Sequence, residues 1–295
     1  MCSHSVPGVG RVIWSVGFKW ARRLSTTTVC PAHDDRTMYE DVRYETDAGI
    51  ATITIDRPEA YNAFTKNTLV ELNDAIGRAT DDDAIYVVIL TGAGDGFCAG
   101  ADVTDMPDWS DLTKEEYAGY LWTVQNVVRR LRSTPKPTIA AVSGPAIGAG
   151  CDFALACDMR VMGEGGVLRE GFVRVGLVPG DGGAWLLPRL IGESKAREYL
   201  LRGVDIPPEE AVEVGLAATV AEDPLAAARD LAEELLSLPA LAVRNTNRLV
   251  DPTMTFEDYC ERAIEYQWEC VNDPEHDEAV AAFREKRDPE FDREY

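Results

Sequence analysis

Apolar and polar positions alternate through Gly49-Ile-Ala-Thr-Ile-Thr-Ile-Asp56 and stop at Arg57-Pro58, which predicts a strand with its terminator. Leu69, Leu72 and Ile76 recur at helical spacing behind Thr68-x-x-Glu71, a capping-box pattern. Asp81-Asp-Asp marks a turn, and Ile85 to Leu90 is a continuous β-branched run, the signature of a strand covered on both faces. A second helix is predicted from Glu115 to Leu131. Tyr120, Val124, Val127, Val128 and Leu131 lie on one of its sides, and Pro135 and Pro137 end it. Strand, glycine turn and helix then repeat from Thr138 to Cys157. This alternation predicts an α/β fold. After Pro239 the strand signal disappears and two or three helices are expected.

Two of the predicted strands end in runs of small residues. Ile85 to Leu90 leads to Asp95-Gly-Phe-Cys-Ala-Gly-Ala-Asp102, and Thr138 to Val142 leads to Ser143-Gly-Pro-Ala-Ile-Gly-Ala-Gly-Cys-Asp152. A strand that ends in glycines and opens a helix leaves backbone N–H groups free where the helix dipole favours negative charge. One such turn could bind a phosphate; two together offer a pair of donors to one developing oxyanion. Dinucleotide binding fits less well. Gly148-Ala-Gly150-Cys-Asp-Phe153 has Phe where a third glycine belongs, Gly92-Ala-Gly94-Asp-Gly96 is misspaced, and the chain has no phosphate-loop Gly-Lys-Ser/Thr. The pair of turns suggests carbonyl chemistry; the plainer alternative is that glycines let helix and strand pack closely.

With their flanks the turns are similar to a known family. Phe97-Cys-Ala-Gly-Ala-Asp102 and Gly144-Pro-Ala-Ile-Gly-Ala-Gly-Cys-Asp152-Phe-Ala-Leu-Ala-Cys-Asp158 resemble the crotonase superfamily, the enoyl-CoA hydratase/isomerase group. So do Ile55-Asp-Arg-Pro-Glu-Ala-Tyr-Asn-Ala63, Val175-Gly-Leu-Val-Pro-Gly-Asp-Gly-Gly183 and Ala279-Val-Ala-Ala-Phe-Arg-Glu-Lys-Arg287. The resemblance implies a crotonase spiral of repeated ββα units over 38–238. It also implies a C-terminal helical region over 239–295 that packs subunits into homotrimers, often paired as hexamers.

For the site, the resemblance implies an oxyanion hole made by the N–H groups of Ala101 and Ala149. The family usually has Gly at the second position, so Ala149 requires a negative φ. Ala60, Ala63, Ala99, Ala101, Asp102, Val103, Thr104 and Phe172 are expected along the substrate and its coenzyme A. Phe283 and Lys286 are expected near the adenine and phosphates of a CoA held by a neighbouring subunit. A hydratase of this group uses two Glu. The first position falls on Asp152, an acid shorter by one methylene. The second falls on Phe172, which transfers no proton; Glu170 stands two residues away and Glu164 eight. Asp181 lies on a loop where some members carry a catalytic Asp, displaced by one residue. Asp152 and Asp181 are therefore the candidate catalytic acids. The alternatives are a first-turn helix acid for Asp152 and a helix N-cap for Asp181. Hydration of a 2-enoyl-CoA leads, ahead of enoyl- or dienoyl-CoA isomerisation and thioester hydrolysis. A non-catalytic or RNA-binding scaffold is the reading from another class. No metal or redox cofactor is implied, since coenzyme A is part of the substrate.

Charge narrows the partners. The chain has 51 acidic and 29 basic residues, net −22, which opposes nucleic acid and anionic membranes. Its three histidines, His4, His33 and His276, lie far from the turns and nearly exclude a Ser/Cys–His triad or a His-rich zinc site. Seven cysteines without CxxC spacing read as reduced small hydrophobes in a cytoplasmic setting. Residues 1–33 hold no Asp or Glu, which suits a mitochondrial presequence, and so the matrix, or a translation start placed upstream of Met38. The abrupt charge break at Asp34 favours the second, and 1–37 is set apart as an extension.

Overall fold

The central strands of the main sheet are buried at almost every position because both of its faces are covered. The computed structural model describes residues 39–104, 111–251 and 253–293; the N-terminal extension lies outside them. The chain runs β1 (Val42–Asp47), β2 (Ile50–Ile55), α1 (Lys66–Asp81), β3 (Val87–Gly92), α2 (Lys114–Ser133), β4 (Thr138–Val142), β5 (Pro145–Ile147) and α3 (Ala149–Ala156). It continues with β6 (Met159–Gly163), β7 (Val167–Arg169), α4 (Gly183–Ile191), α5 (Glu193–Arg202), α6 (Pro208–Glu213) and β8 (Thr219–Ala221). Last come α7 (Pro224–Leu236), α8 (Ala240–Leu249), α9 (Phe256–Val271) and α10 (Pro274–Glu285). The sheet order is β1-β2-β3-β4-β6-β8, with only the β1–β2 pair antiparallel.

Alternate residues of one strand enter two different cores. Val88, Leu90, Ala140 and Val142 join the cluster that includes Leu72 and Ile76 of α1 and Val127 of α2. Val87, Ile89, Ile139 and Ala141 join Ala228 and Ala232 of α7 on the other face. That explains the unbroken apolar run from Ile85 to Leu90.

Four strands of the main sheet, β2, β3, β4 and β6, are each followed by a short extended piece in a second layer, and then by a helix. The second layer is the β5–β7 pair widened by single bridges, Phe64 to Ala101, Cys98 to Ala146 and Leu168 to Ile206. This repeat of strand, second-layer strand and helix is the expected ββα spiral. One detail differs from the sequence reading. The capping box of α1 is Thr65 with Thr68, one turn earlier than Thr68 with Glu71. Glu71 instead accepts the backbone N–H groups of Glu40 and Asp41 at 2.9 and 2.8 Å and holds the segment before β1. Beyond β8 the described chain is helical, as expected. α9 buries none of its residues, and Phe256, Ile264 and Trp268 are about 70% exposed (73%, 72% and 68%).

Candidate active site

The two glycine turns are wedged against each other. In the second layer the Phe64 N–H donates to the Gly100 carbonyl at 2.8 Å and the Asp102 N–H to the Phe64 carbonyl at 2.9 Å. A parallel bridge of this kind leaves the N–H of the intervening residue, Ala101, on the opposite side of its strand. Ala149 opens α3, so its N–H has no acceptor within the helix. Each donor follows a glycine at positive φ, Gly100 at 93° and Gly148 at 55°, a region that a Cβ makes costly. Ala101 and Ala149 are not at positive φ, so the methyl of Ala149 is tolerated as required.

Gly150 brings the turns together, because a Cβ there would overlap the Cys98 carbonyl. Gly150→Ala is therefore expected to cost ~2–3 kcal/mol and lower Tm by roughly 5–10 °C. Thermal denaturation checks this; an unchanged Tm would show that the turns do not interlock.

Ala101 and Ala149 line one cavity of about 440 Å³, walled by Tyr120, Leu121, Val124, Phe172 and Leu177. Among the described residues, Asp181 is the only carboxylic residue lining it. Its side chain does not cap α4: the N-cap is Gly182, with no side-chain bond, so the capping alternative fails. The Gln125 amide fixes the loop beside it by donating to the Gly180 carbonyl at 2.8 Å.

Asp152 is fully buried and lies beneath the cavity wall rather than on it. The acid that sequence reasoning set aside, Glu170, joins it, with 1% of its surface exposed. A Cβ on Gly183 would overlap the Glu170 carboxyl, and one on Gly182 would come 3.8 Å from Asp152 Oδ1. Both acids thus stand at the N-terminus of α4. Neither oxygen of Asp152 or Glu170, nor Oδ1 of Asp181, makes a hydrogen bond of ordinary geometry. Burial pushes the Asp181 carboxyl up to about 6. Burial also lifts Glu170 to about 8, helped by the nearby Asp181 charge. Asp152 is raised well above its ordinary value by burial, then by the charges of Glu170 and Asp181. At neutral pH, Asp181 is the member of the trio that ionises. Among the described residues no three His, Cys, Asp or Glu are arranged to hold a metal ion.

The structure gathers some of the remaining expected residues and leaves others apart. Ala99, Val103 and Phe172 line the cavity with Ala101. The Phe172 ring lies over Gly148, its Cζ 3.5 Å from where a Cβ would be. Asp102 faces an adjacent cavity of about 460 Å³. Its carboxyl accepts bonds from Thr104 at 2.7 and 2.9 Å and from Arg57 at 2.9 Å, which hold it below the ordinary range. Ala60 and Ala63 line neither cavity; they belong to the turn welded by Asn62, whose amide donates to the Ala93 and Gly96 carbonyls at 2.8 and 2.7 Å. Phe283 is 78% exposed and Lys286 is the left-handed C-cap of α10; neither lines these cavities.

Ala101, Ala149 and Asp181 thus line one largely apolar cavity, where two backbone N–H groups without a helical or strand partner and a carboxyl come together. The sequence profile of the enoyl-CoA hydratase/isomerase family matches residues 45–294. The chain belongs to that family. It is 34% identical to the crotonyl-CoA hydratase of Syntrophomonas wolfei over 86% of this chain and 98% of that one. It is 32% identical to the 1,2-epoxyphenylacetyl-CoA isomerase of Escherichia coli over 86% and 99%. The crystal structure of an enoyl-CoA hydratase from Bacillus anthracis superposes with a TM-score of 0.81 at 28% identity, over 86% of this chain and all of that one.

Proposed function

We propose that the protein adds water to a 2-enoyl-CoA thioester. The observation that carries this reading is that Asp181, Ala101 and Ala149 share one cavity wall. The thioester carbonyl lies between the two N–H groups. The Asp181 carboxylate takes a proton from water as the water oxygen bonds to C3. The electrons of the C2=C3 bond move onto the carbonyl oxygen, giving an enolate held by both donors. Asp181 then returns the proton to C2, the carbonyl re-forms, and the enzyme is unchanged. Each donor is worth about 3 kcal/mol to the transition state, and proton transfer by a placed carboxylate about 10²–10⁴-fold.

A second reading is supported by Phe172, which stands where a second acid would hold a water. A single carboxylate can carry a proton from C4 to C2, which moves the double bond without water. Self-association to a trimer or hexamer is part of the same reading, supported by the exposed apolar residues of α9, and in it Phe283 and Lys286 would meet a neighbouring subunit's CoA. No described helix is long and apolar enough to cross a membrane.

A panel of enoyl-CoA thioesters separates the reactions. Loss of the conjugated-enone absorbance with a product heavier by one water, and no free thiol, is the expected result. A shifted double bond at unchanged mass would establish isomerisation instead, and thiol release would establish hydrolysis. No change with any member of the panel would contradict the assignment to enoyl thioesters.

A further inference from the structure

The acid trio is larger than the reaction requires. Asp181 alone meets the cavity, yet Asp152 and Glu170 are packed behind it from two other elements, the first turn of α3 and the end of β7. Their oxygens make no hydrogen bond of ordinary geometry among the described residues, although the Gly183 N–H lies near Asp152 and the Cys151 thiol near Glu170, and they are among the most deeply buried polar groups described. Burying an unpaired carboxylate costs several kcal/mol, so such groups stay protonated or share a proton. The remaining groups facing them do not supply a cation. Cys151 of α3 is a buried thiol whose own ionisation is pushed well up by burial. Arg169, next to Glu170 in sequence, is engaged by Asp205. From α4 come the backbone around Gly182 and Gly183 and no charged side chain. Two facing carboxyls repel when both are ionised, and they are neutral and mutually attractive only when each carries its proton.

Resting on the reading that an enolate forms at Ala101 and Ala149, we propose that Glu170 is a positioning residue. Glu170 and Asp152 each keep a proton beneath the cavity, and this neutral pair keeps a second negative charge away from the enolate while Asp181 carries the base charge. The pair lies at the start of α3, the helix whose first N–H is an oxyanion donor, so charge on it opposes the charge that develops on substrate. Gly183 is part of the device, because only a residue without a Cβ leaves space for the Glu170 carboxyl.

The test is the pH profile of kcat/KM for the best thioester, together with infrared titration of buried carboxylic acids. The wild-type profile is expected to rise through about 6 as Asp181 ionises and to fall through about 8 as Glu170 loses its proton. Glu170→Gln keeps the size and a donor toward Asp152. It is expected to retain a plateau within about tenfold and to move the alkaline limb up by at least about one pH unit. In the wild-type protein the protonated-carboxyl component that disappears on the same alkaline limb is that of Glu170, and this component should be missing from Glu170→Gln while the Asp152 band remains. An alkaline limb that stays in place, or no such band in the folded wild-type protein, would overturn the proposal. Loss of the acid limb's link to Asp181, seen as an unchanged limb in Asp181→Asn, would instead sink the assigned base and leave the infrared result standing.

Discussion

Asp181→Asn is expected to leave the fold and oligomer intact and to cut turnover on the best enoyl thioester by at least about 100-fold. The substitution keeps the size of the side chain and removes the one carboxylate on the cavity wall. No hydrogen bond of Asp181 is recorded, and its Oδ1 is buried without a partner, so little structural support is lost. Asp152→Asn is the control. Asp152 is buried below the wall and held protonated, and Asn resembles a neutral acid, so its loss should be much smaller than that of Asp181→Asn. Steady-state kinetics on both variants, with circular dichroism to confirm folding, decide the matter. The reverse ranking would return the base to Asp152, as the family motif alone suggests.

Ala149→Pro should be almost as damaging to turnover while sparing stability. Ala149 is the first residue of α3, a position where Pro is well tolerated because the N–H has no helical partner to lose. The preceding Gly148, at φ 55° and ψ −123°, occupies a mirror-image extended conformation open to glycine. Only the donor disappears. A loss of one oxyanion donor predicts a fall in kcat of about 10²–10³, or about 3–4 kcal/mol. Activity within about tenfold of wild type, under about 1.4 kcal/mol, would mean that the hole lies elsewhere.

The spiral was legible because its signals are local. Alternation at Ile50–Ile55, the continuous run into β3 and the two glycine turns each specify an element from adjacent residues. The two glycine–alanine steps were legible for the same reason, while the role proposed for their N–H groups came from the resemblance. The acids were less legible. Motif counting placed Phe172 at the second acid position and left Asp152 and Asp181 side by side as candidates. Depth separates them, because which carboxyl meets the cavity depends on how α3, β7 and α4 converge. Glu170 was set aside as two residues out of register. The turn at Gly171–Val175 nonetheless leaves Glu170 buried and Phe172 on the cavity wall. The one sequence cue was Gly182-Gly183, two residues without side chains at a helix start, which mark a place where something bulky packs against the backbone. The cap of α1 was shifted by one turn because Thr65 and Thr68 both fit the pattern, and the contact of Glu71 with Glu40 and Asp41 is not local.

The central claim is that a thioester carbonyl is held by the Ala101 and Ala149 N–H groups above Asp181. Asp181→Asn slows turnover enough for an enoyl-CoA labelled with ¹³C at its carbonyl to persist in the site, where its stretching frequency can be read by Raman difference spectroscopy. On Asp181→Asn the carbonyl stretch is predicted to fall well below that of the free thioester, and most of that shift should vanish when Ala149→Pro is added. A bound carbonyl at the free-thioester frequency in Asp181→Asn, or one whose shift survives Ala149→Pro, would contradict the site described.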